Sequence, residues 1–344
     1  MAPGKGILAA GETPGTLTKR FEALGIHSTP DTRRAYREML FGAYGASEFI
    51  SGVILQDETI RQQASGGLPF ARMLTELGIL PGIKVDAGAK PLAGSPGETV
   101  TEGLDGLRER LAEYRKMGAR FTKWRAVLRI DGDRLPTRAC IHANSHALAR
   151  YAALAQEADM VPIVEPEVLM EGAHDLARSD EVTSEVLQEV FRELFVEDVQ
   201  LECLLLKPSM VIPGSRSSEK ASQLEVAAAT LRCLLRHVPA AVPGVVFLSG
   251  GQSPELATAH LDTINRLQWP APWTVSFSYG RALQDPALER WGGHKDRAEA
   301  GAQALIHRAR CNSAAALGAY SPAMEEGQDG IRMPNAAQPA TLDH

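Results

Sequence analysis

The chain has 344 residues, 44% hydrophobic and 23% charged, with a formal net charge of −6. This is the composition of a soluble globular protein with room for one large core or two ordinary domains. The acidic balance argues against general affinity for nucleic acid or anionic membrane. No apolar run approaches the ~20 residues of a membrane span, and no signal-peptide core opens the chain, so a cytoplasmic location is expected.

The four cysteines (Cys140, Cys203, Cys233, Cys311) are widely spaced and form no Cys-x-x-Cys. With Cys203 placed in an apolar strand and Cys233 in an amphipathic helix, they read as buried thiols of a reducing compartment.

In chain order, short apolar or β-branched runs predict eight strands: Gly6–Ala10, Phe49–Leu55, Ile83–Val85, Phe121–Leu128, Val161–Val164, Leu201–Leu206, Val245–Leu248 and Val275–Phe277. Segments of helical period lie between most of them. Leu104, Leu107, Leu111 and Tyr114 share one helix face. So do Val182, Val186, Val190 and Leu194, and likewise Leu224, Ala228, Leu231 and Leu235. Strands alternating with helices, without an interior linker, predict an α/β fold, a single-domain (β/α)8 barrel over residues 1–320. A doubly wound open sheet is the alternative, opposed by the lack of a Gly-x-Gly-x-x-Gly after the first strand. Residues 321–344 lose periodicity and read as an irregular or mobile tail.

The polar residues collect at predicted strand ends, which in a barrel converge on one face. Lys207 ends the sixth strand after an apolar run. Burial there depresses an amine's pKa and makes it a nucleophile. Lys123 and Arg125 end the fourth strand and Glu165 and Glu167 the fifth; each pair has i,i+2 spacing and so shares a face. An amine, two cations and two carboxylates suit Schiff-base chemistry on a phosphorylated carbonyl compound, with one glutamate as acid/base. The bland reading is a snorkelling lysine beside structural ion pairs.

Ser249-Gly250-Gly251 after the seventh strand, and Gly280-Arg281 after Ser278 and Tyr279 of the eighth, fit a phosphate site of backbone N–H groups and a guanidinium. Two ordinary tight turns are the simpler alternative. Thr13, Thr16, Lys19 and Arg20 after the first strand, with Lys84 after the third, could hold a second anion or merely form a solvated helix start. No metal is expected. His142 and His146 have i,i+4 spacing but lie at a helix start with no carboxylate placed to complete a site. His174 reads as a loop histidine.

These motifs together resemble class I fructose-bisphosphate aldolase from about Lys5 to Pro322. The resemblance is carried by Gly4-Lys-Gly-Ile-Leu-Ala-Ala10, Gly82-Ile-Lys-Val-Asp86, Pro91-Leu-Ala-Gly94, Gly103-Leu-Asp-Gly-Leu107, Lys123-Trp-Arg125, Pro162-Ile-Val-Glu-Pro-Glu167, Leu205-Leu-Lys-Pro208, Phe247-Leu-Ser-Gly-Gly-Gln-Ser253 and Phe277-Ser-Tyr-Gly-Arg-Ala-Leu283.

The resemblance implies a metal-free barrel enzyme, usually a homotetramer, acting on sugar bisphosphates and triose phosphates. It implies Lys207 as the Schiff-base lysine and Glu165 as the acid/base of carbinolamine dehydration, with Glu167 and Lys123 as their partners. Ser249, Gly250, Gly251, Ser278, Gly280 and Arg281 match the C1-phosphate site. Thr13, Thr16, Arg20, Lys84 and Arg125 match positions around the other phosphate and the hydroxyls.

Two departures stand out. The family reads Ala-Ala-Asp-Glu-Ser after the first strand, whereas this chain reads Ala9-Ala10-Gly11-Glu12-Thr13. The absent aspartate positions the neighbouring lysines and assists C3–C4 cleavage, and by strand alternation Glu12 points the other way. The chain also ends Thr341-Leu-Asp-His344, where many members end in tyrosine. Two functions follow as expectations: reversible cleavage of fructose 1,6-bisphosphate, slowed by Gly11, or an aldolase-fold binding or scaffold protein with impaired catalysis.

Overall fold

The computed structural model describes residues 2–267 and 269–326. Its strands are β1 Gly6–Ala9, β2 Ile50–Leu55, β3 Leu80–Lys84, β4 Gly88–Pro91, β5 Thr99–Glu102, β6 Phe121–Leu128, β7 Val161–Val168, β8 Leu205–Leu206, β9 Gly244–Phe247 and β10 Thr274–Tyr279. The helices are α1 Pro14–Glu22, α2 Pro30–Phe41, α3 Asp57–Ile60, α4 Phe70–Glu76, α5 Leu107–Lys116, α6 Arg138–Glu157, α7 Leu176–Val196, α8 Gln223–His237, α9 Pro254–Arg266, α10 Arg281–Trp291 and α11 Ala298–Ala316. Eight parallel strands close in the order β1-β10-β9-β8-β7-β6-β3-β2. This is the expected (β/α)8 barrel, with the helices outside it.

Strand parity decides what lines the barrel. Ile7, Ile54, Phe121, Ile163 and Val246 form a small inner cluster, with Ala9 and Leu205 against it. Their neighbours Leu8, Val53, Trp124, Val164, Leu206 and Val245 join the larger core between sheet and helices. Gly52 and Gly82 leave space for the Phe121 ring: a Cβ at Gly82 would collide with it at 2.2 Å, and one at Gly52 would press on it at 3.0 Å. One large aromatic from β6 thus plugs the barrel floor. The next inward position on each strand lies above that floor and is free to be polar.

The structure alters the sequence expectations in several places. Leu201–Cys203 is a 3₁₀ turn, and only Leu205–Leu206 pairs as β8. Cys203 is therefore exposed, while Cys140, Cys233 and Cys311 are buried. The buried face of α8 is Val226, Ala227, Thr230, Leu231 and Leu234; Leu224 and Leu235 face outward. The face of α7 is as expected, with Val182, Val186, Val190 and Leu194 buried.

β4 and β5, which the apolar runs did not indicate, pair antiparallel outside the barrel. Of the tail expected over 321–344, Pro322–Glu325 forms a 3₁₀ turn. Its Glu325 carboxylate accepts from the buried Arg308 and from Tyr320, at 2.9 Å for the latter. Residues 327–344, and with them the terminal Thr341–His344, lie outside the described residues.

Candidate active site

The inward positions above the floor carry the charged side chains. Lys84 ends β3 and pairs in register with Lys123 of β6; Arg125 pairs with Glu165 of β7. Lys207 follows directly after β8, its N–H donating to the Val164 carbonyl at 2.8 Å. The Lys207 ammonium lies 3.0 Å from Glu165 Oε1, and that of Lys123 lies 3.0 Å from Glu165 Oε2. One carboxylate thus bridges two lysines.

Lys207 is 3% exposed and Glu165 4%, so burial weighs heavily on the titration of both. Burial lowers the Lys207 pKa, partly opposed by Glu165 and reinforced by Lys123. Burial would raise Glu165, but the Lys123 and Lys207 ammonium groups prevail and hold it at about 2. Burial also disfavours charge on Lys123, yet Glu165 and Asp86 outweigh it and raise its pKa. The three groups therefore differ: an ionised carboxylate, a persistently charged Lys123, and Lys207 as the amine most easily freed of its proton.

Asp86 was legible in the sequence only as part of a motif, yet it belongs to this cluster. Its carboxylate lies 2.6 Å from Lys84 Nζ and 3.6 Å from Lys123 Nζ, and accepts from the Arg125 N–H at 3.3 Å. Its spacing of two from Lys84 was the available signal, because it places both side chains inward. Burial would raise its pKa, but Lys123 and Lys84 bring the balance below the usual carboxylate value. Arg125 pairs with Glu167 through Nε, so both predicted i,i+2 partners point into the mouth.

Gly11 also has inward parity. A Cβ there would lie 3.2 Å from Lys84 Cβ and from Ile54 Cγ2. Glu12 turns outward, as alternation requires, and is partly buried. It accepts from Arg37 at 2.7 Å, Arg20 at 2.8 Å and Gln284 at 2.7 Å. Arg20 also binds Asp285 at 2.6 Å. Its guanidinium is thus committed to two carboxylates, where the sequence suggested a cation free for phosphate.

Thr13 caps α1, its hydroxyl accepting from the Thr16 N–H at 3.3 Å and lying 3.0 Å from the Thr16 hydroxyl. Thr13, Lys84 and Asp86 line one pocket of 230 Å³ together with Arg110 and Tyr114 of α5. This brings together the first-strand and third-strand halves of the predicted second anion site. Lys19 is exposed.

Across the mouth, Gly250 (φ 59°) and Gly251 (φ 92°) form a left-handed turn that only glycine adopts readily. Arg281 hangs beside it, its Nη2 3.6 Å from where a Gly251 Cβ would sit. Among the described residues Arg281 makes no hydrogen bond or ion pair, and the buried Ser278 hydroxyl has no partner. Gly280 precedes the first turn of α10, and Ser249 is buried at the end of β9. Unpaired donors so placed, beside a left-handed glycine turn, are able to hold an anion.

The expectation that no carboxylate faces His142 and His146 is overturned: Glu189 and Glu193 of α7 lie against them on the outer helical layer. His174 is a buried loop residue, as expected for the loop.

Fold and charge arrangement define a barrel enzyme whose lysine-rich mouth is built for an anionic carbonyl substrate. A family model described as "Fructose-bisphosphate aldolase class-I" matches residues 1–335. The chain is 54% identical over 321 residues to "Probable fructose-bisphosphate aldolase class 1" of Xylella fastidiosa (strain 9a5c), covering 93% of this chain and 96% of that one. It is 51% identical over 328 residues to "Fructose-bisphosphate aldolase C" of Rattus norvegicus, covering 95% and 90% respectively. A solved structure of fructose-bisphosphate aldolase from Plasmodium falciparum, in complex with TRAP and a small-molecule inhibitor, superposes with a TM-score of 0.91. It is 46% identical, covering 93% of this chain and 92% of that one. The chain belongs to the class I fructose-bisphosphate aldolase family.

Proposed function

We propose that the barrel mouth cleaves fructose 1,6-bisphosphate reversibly into dihydroxyacetone phosphate and glyceraldehyde 3-phosphate through an imine on Lys207. The observation that carries this reading is the Lys207 ammonium, buried and 3.0 Å from an ionised Glu165 that it shares with Lys123. Glu165 takes the proton that Lys207 must lose before attacking C2. It then returns a proton to the carbinolamine hydroxyl as water leaves. The protonated imine draws the electron pair of the C3–C4 bond into an enamine, and the C4 hydroxyl proton passes to a base as the aldehyde departs. No metal enters this scheme, because the imine is the electron sink. Lys123 and Glu167 orient the reacting groups, the latter holding Arg125.

Ser249, Gly250, Gly251, Ser278, Gly280 and Arg281 take the C1 phosphate. Thr13, Thr16 and Lys84, with Arg125, take the other end. The commitment of Arg20 to Glu12 and Asp285 favours a role in positioning the loop after β1. Binding at both phosphates supplies orientation energy for the central bond.

Among the described residues no helix is long and apolar enough to cross a membrane. A cytoplasmic enzyme is proposed, assembling as a homotetramer. Phe195 (82% exposed) and Val196, at the end of α7, supply apolar surface for such contacts.

The second reading, an aldolase-fold binding protein, rests on Gly11. A coupled cleavage assay separates the two. Turnover is expected, and it persists in excess chelator. Activity lost to chelator and restored by zinc overturns the imine scheme, and no turnover at all supports the binding reading.

Arg281→Ala removes the guanidinium beside the glycine turn. Charged hydrogen bonds are worth ~1.5–3 kcal/mol each, so KM is expected to rise at least ~10-fold with a smaller effect on kcat. An unchanged KM, with unchanged inhibition by inorganic phosphate, removes Arg281 from the site.

A further inference from the structure

The outer helical layer carries a donor cluster that the reaction does not use. His142 and His146 are one turn apart on α6, so both imidazoles leave the same face. Their rings stack at 6.2 Å between centroids. Opposite them, α7 presents Glu189 and Glu193, also one turn apart. His142 Nδ1 lies 2.9 Å from Glu189 Oε1 and 3.6 Å from Glu193 Oε1. His146 Nδ1 lies 2.9 Å from Glu193 Oε2.

We propose that this face binds one divalent transition-metal ion of the zinc class and clips α6 to α7. Two imidazoles and two carboxylates form a nitrogen–oxygen donor set suited to Zn²⁺, Co²⁺ or Ni²⁺, whereas Ca²⁺ and Mg²⁺ prefer all-oxygen shells. In a tetrahedral site with bonds of about 2.0–2.1 Å, donors stand about 3.4 Å apart. The His142 nitrogen and the Glu189 and Glu193 oxygens already lie within 4.8 Å of one another. Three donors are thus already gathered, and His146 joins them through its 2.9 Å contact with Glu193 Oε2. The Glu193 side chain, 5% exposed, is the fixed anchor; the more exposed imidazoles leave a path for the ion.

Arg192 supplies the distinguishing chemistry. Its guanidinium neutralises Glu189 at 2.5 Å and Glu193 at 2.9 Å, and lies 3.5 Å from His142 Nδ1. It occupies the electrostatic place of the ion. Half exposed, it can withdraw into water when the metal enters. Metal and Arg192 therefore compete, and removing the arginine favours the metal. A face that served only as an ion-pair network would lose stability in Arg192→Ala and gain no affinity for metal.

The test is calorimetric titration of Zn²⁺ into the untagged full chain, paired with thermal melts. Wild type is expected to bind one Zn²⁺ at this face and to gain Tm with it. The doubly substituted His142→Ala/His146→Ala chain is expected to lose more than ~10-fold in affinity, since even an outer-sphere partner is worth ~10–100-fold. The Tm gain disappears with it. Glu189→Gln keeps the side chain's shape and is expected to weaken binding by an independent route. Arg192→Ala binds at least as tightly as wild type. Bound Co²⁺ gives a nitrogen–oxygen spectrum without thiolate charge-transfer bands, which separates this site from the exposed Cys203. Equal Zn²⁺ affinity in wild type and the double-histidine variant, thiolate bands, or no binding by wild type each overturns the proposal.

Discussion

Lys207→Met is expected to lower cleavage by ~10⁴-fold or more while leaving phosphate-ester binding in place, because it closes the covalent path itself. Methionine retains an unbranched apolar stem in a position 3% exposed, so the local packing is conserved. Glu165 keeps its second partner, Lys123, at 3.0 Å and is not left as a lone buried charge. Borohydride reduction with dihydroxyacetone phosphate should attach one adduct to wild type, at Lys207, and none to the variant. The pH dependence has a definite sign. Burial lowers the Lys207 pKa, so the free amine appears, and trapping accelerates, as pH rises through a value below the ordinary 10.5. Glu165 opposes that lowering, so Glu165→Gln moves the profile to still lower pH even as dehydration slows. An adduct chiefly on another lysine, or activity of Lys207→Met within tenfold of wild type, would exclude Lys207 as the nucleophile.

Much of this site was legible because strand parity turns spacing into direction. Lys123 with Arg125, and Glu165 with Glu167, could be placed in the mouth from sequence because residues two apart share a face. The same rule places Asp86 beside Lys84, facing the mouth. Other features depend on distant contacts. The 88–91 and 99–102 strands read Gly-Ala-Lys-Pro and Thr-Val-Thr-Glu, too polar to announce themselves, and owe their pairing to each other. On α8 the sequence period also allowed a stripe through Leu224 and Leu235, and only packing against the barrel selected Val226, Thr230 and Leu234 instead. Glu189 and Glu193 meet the α6 histidines some forty-seven residues away in sequence, through helix packing that no local spacing encodes.

Gly11→Asp is expected to raise turnover with little change in KM. The position has inward parity, and its φ lies outside the left-handed region, so no backbone strain opposes a side chain there. The space is tight. A Cβ meets Ile54 Cγ2 and Lys84 Cβ at 3.2 Å and the Leu55 carbonyl at 3.3 Å, so the two side chains must yield by a few tenths of an ångström. The carboxylate would arrive beside Lys84, which Asp86 already holds at 2.6 Å. Asp86 also stands 3.6 Å from Lys123 and shares with Glu165 the task of keeping that lysine charged. Part of what a carboxylate at position 11 would do electrostatically is thus in place. The function left to restore is proton acceptance at the breaking C3–C4 bond. A positioned acid/base group contributes ~10²–10⁴-fold, and the existing carboxylates place this gain near the lower end. Gly11→Ala is the control, since it adds the same Cβ without the charge. Single-turnover cleavage should rank Gly11→Asp above wild type and Gly11→Ala at or below it, with borohydride trapping similar in all three. Equal cleavage rates in folded Gly11→Asp and Gly11→Ala would show that the absent carboxylate does not limit this enzyme. Asp86 and Glu165 would then be sufficient for the proton traffic of the bond-breaking step.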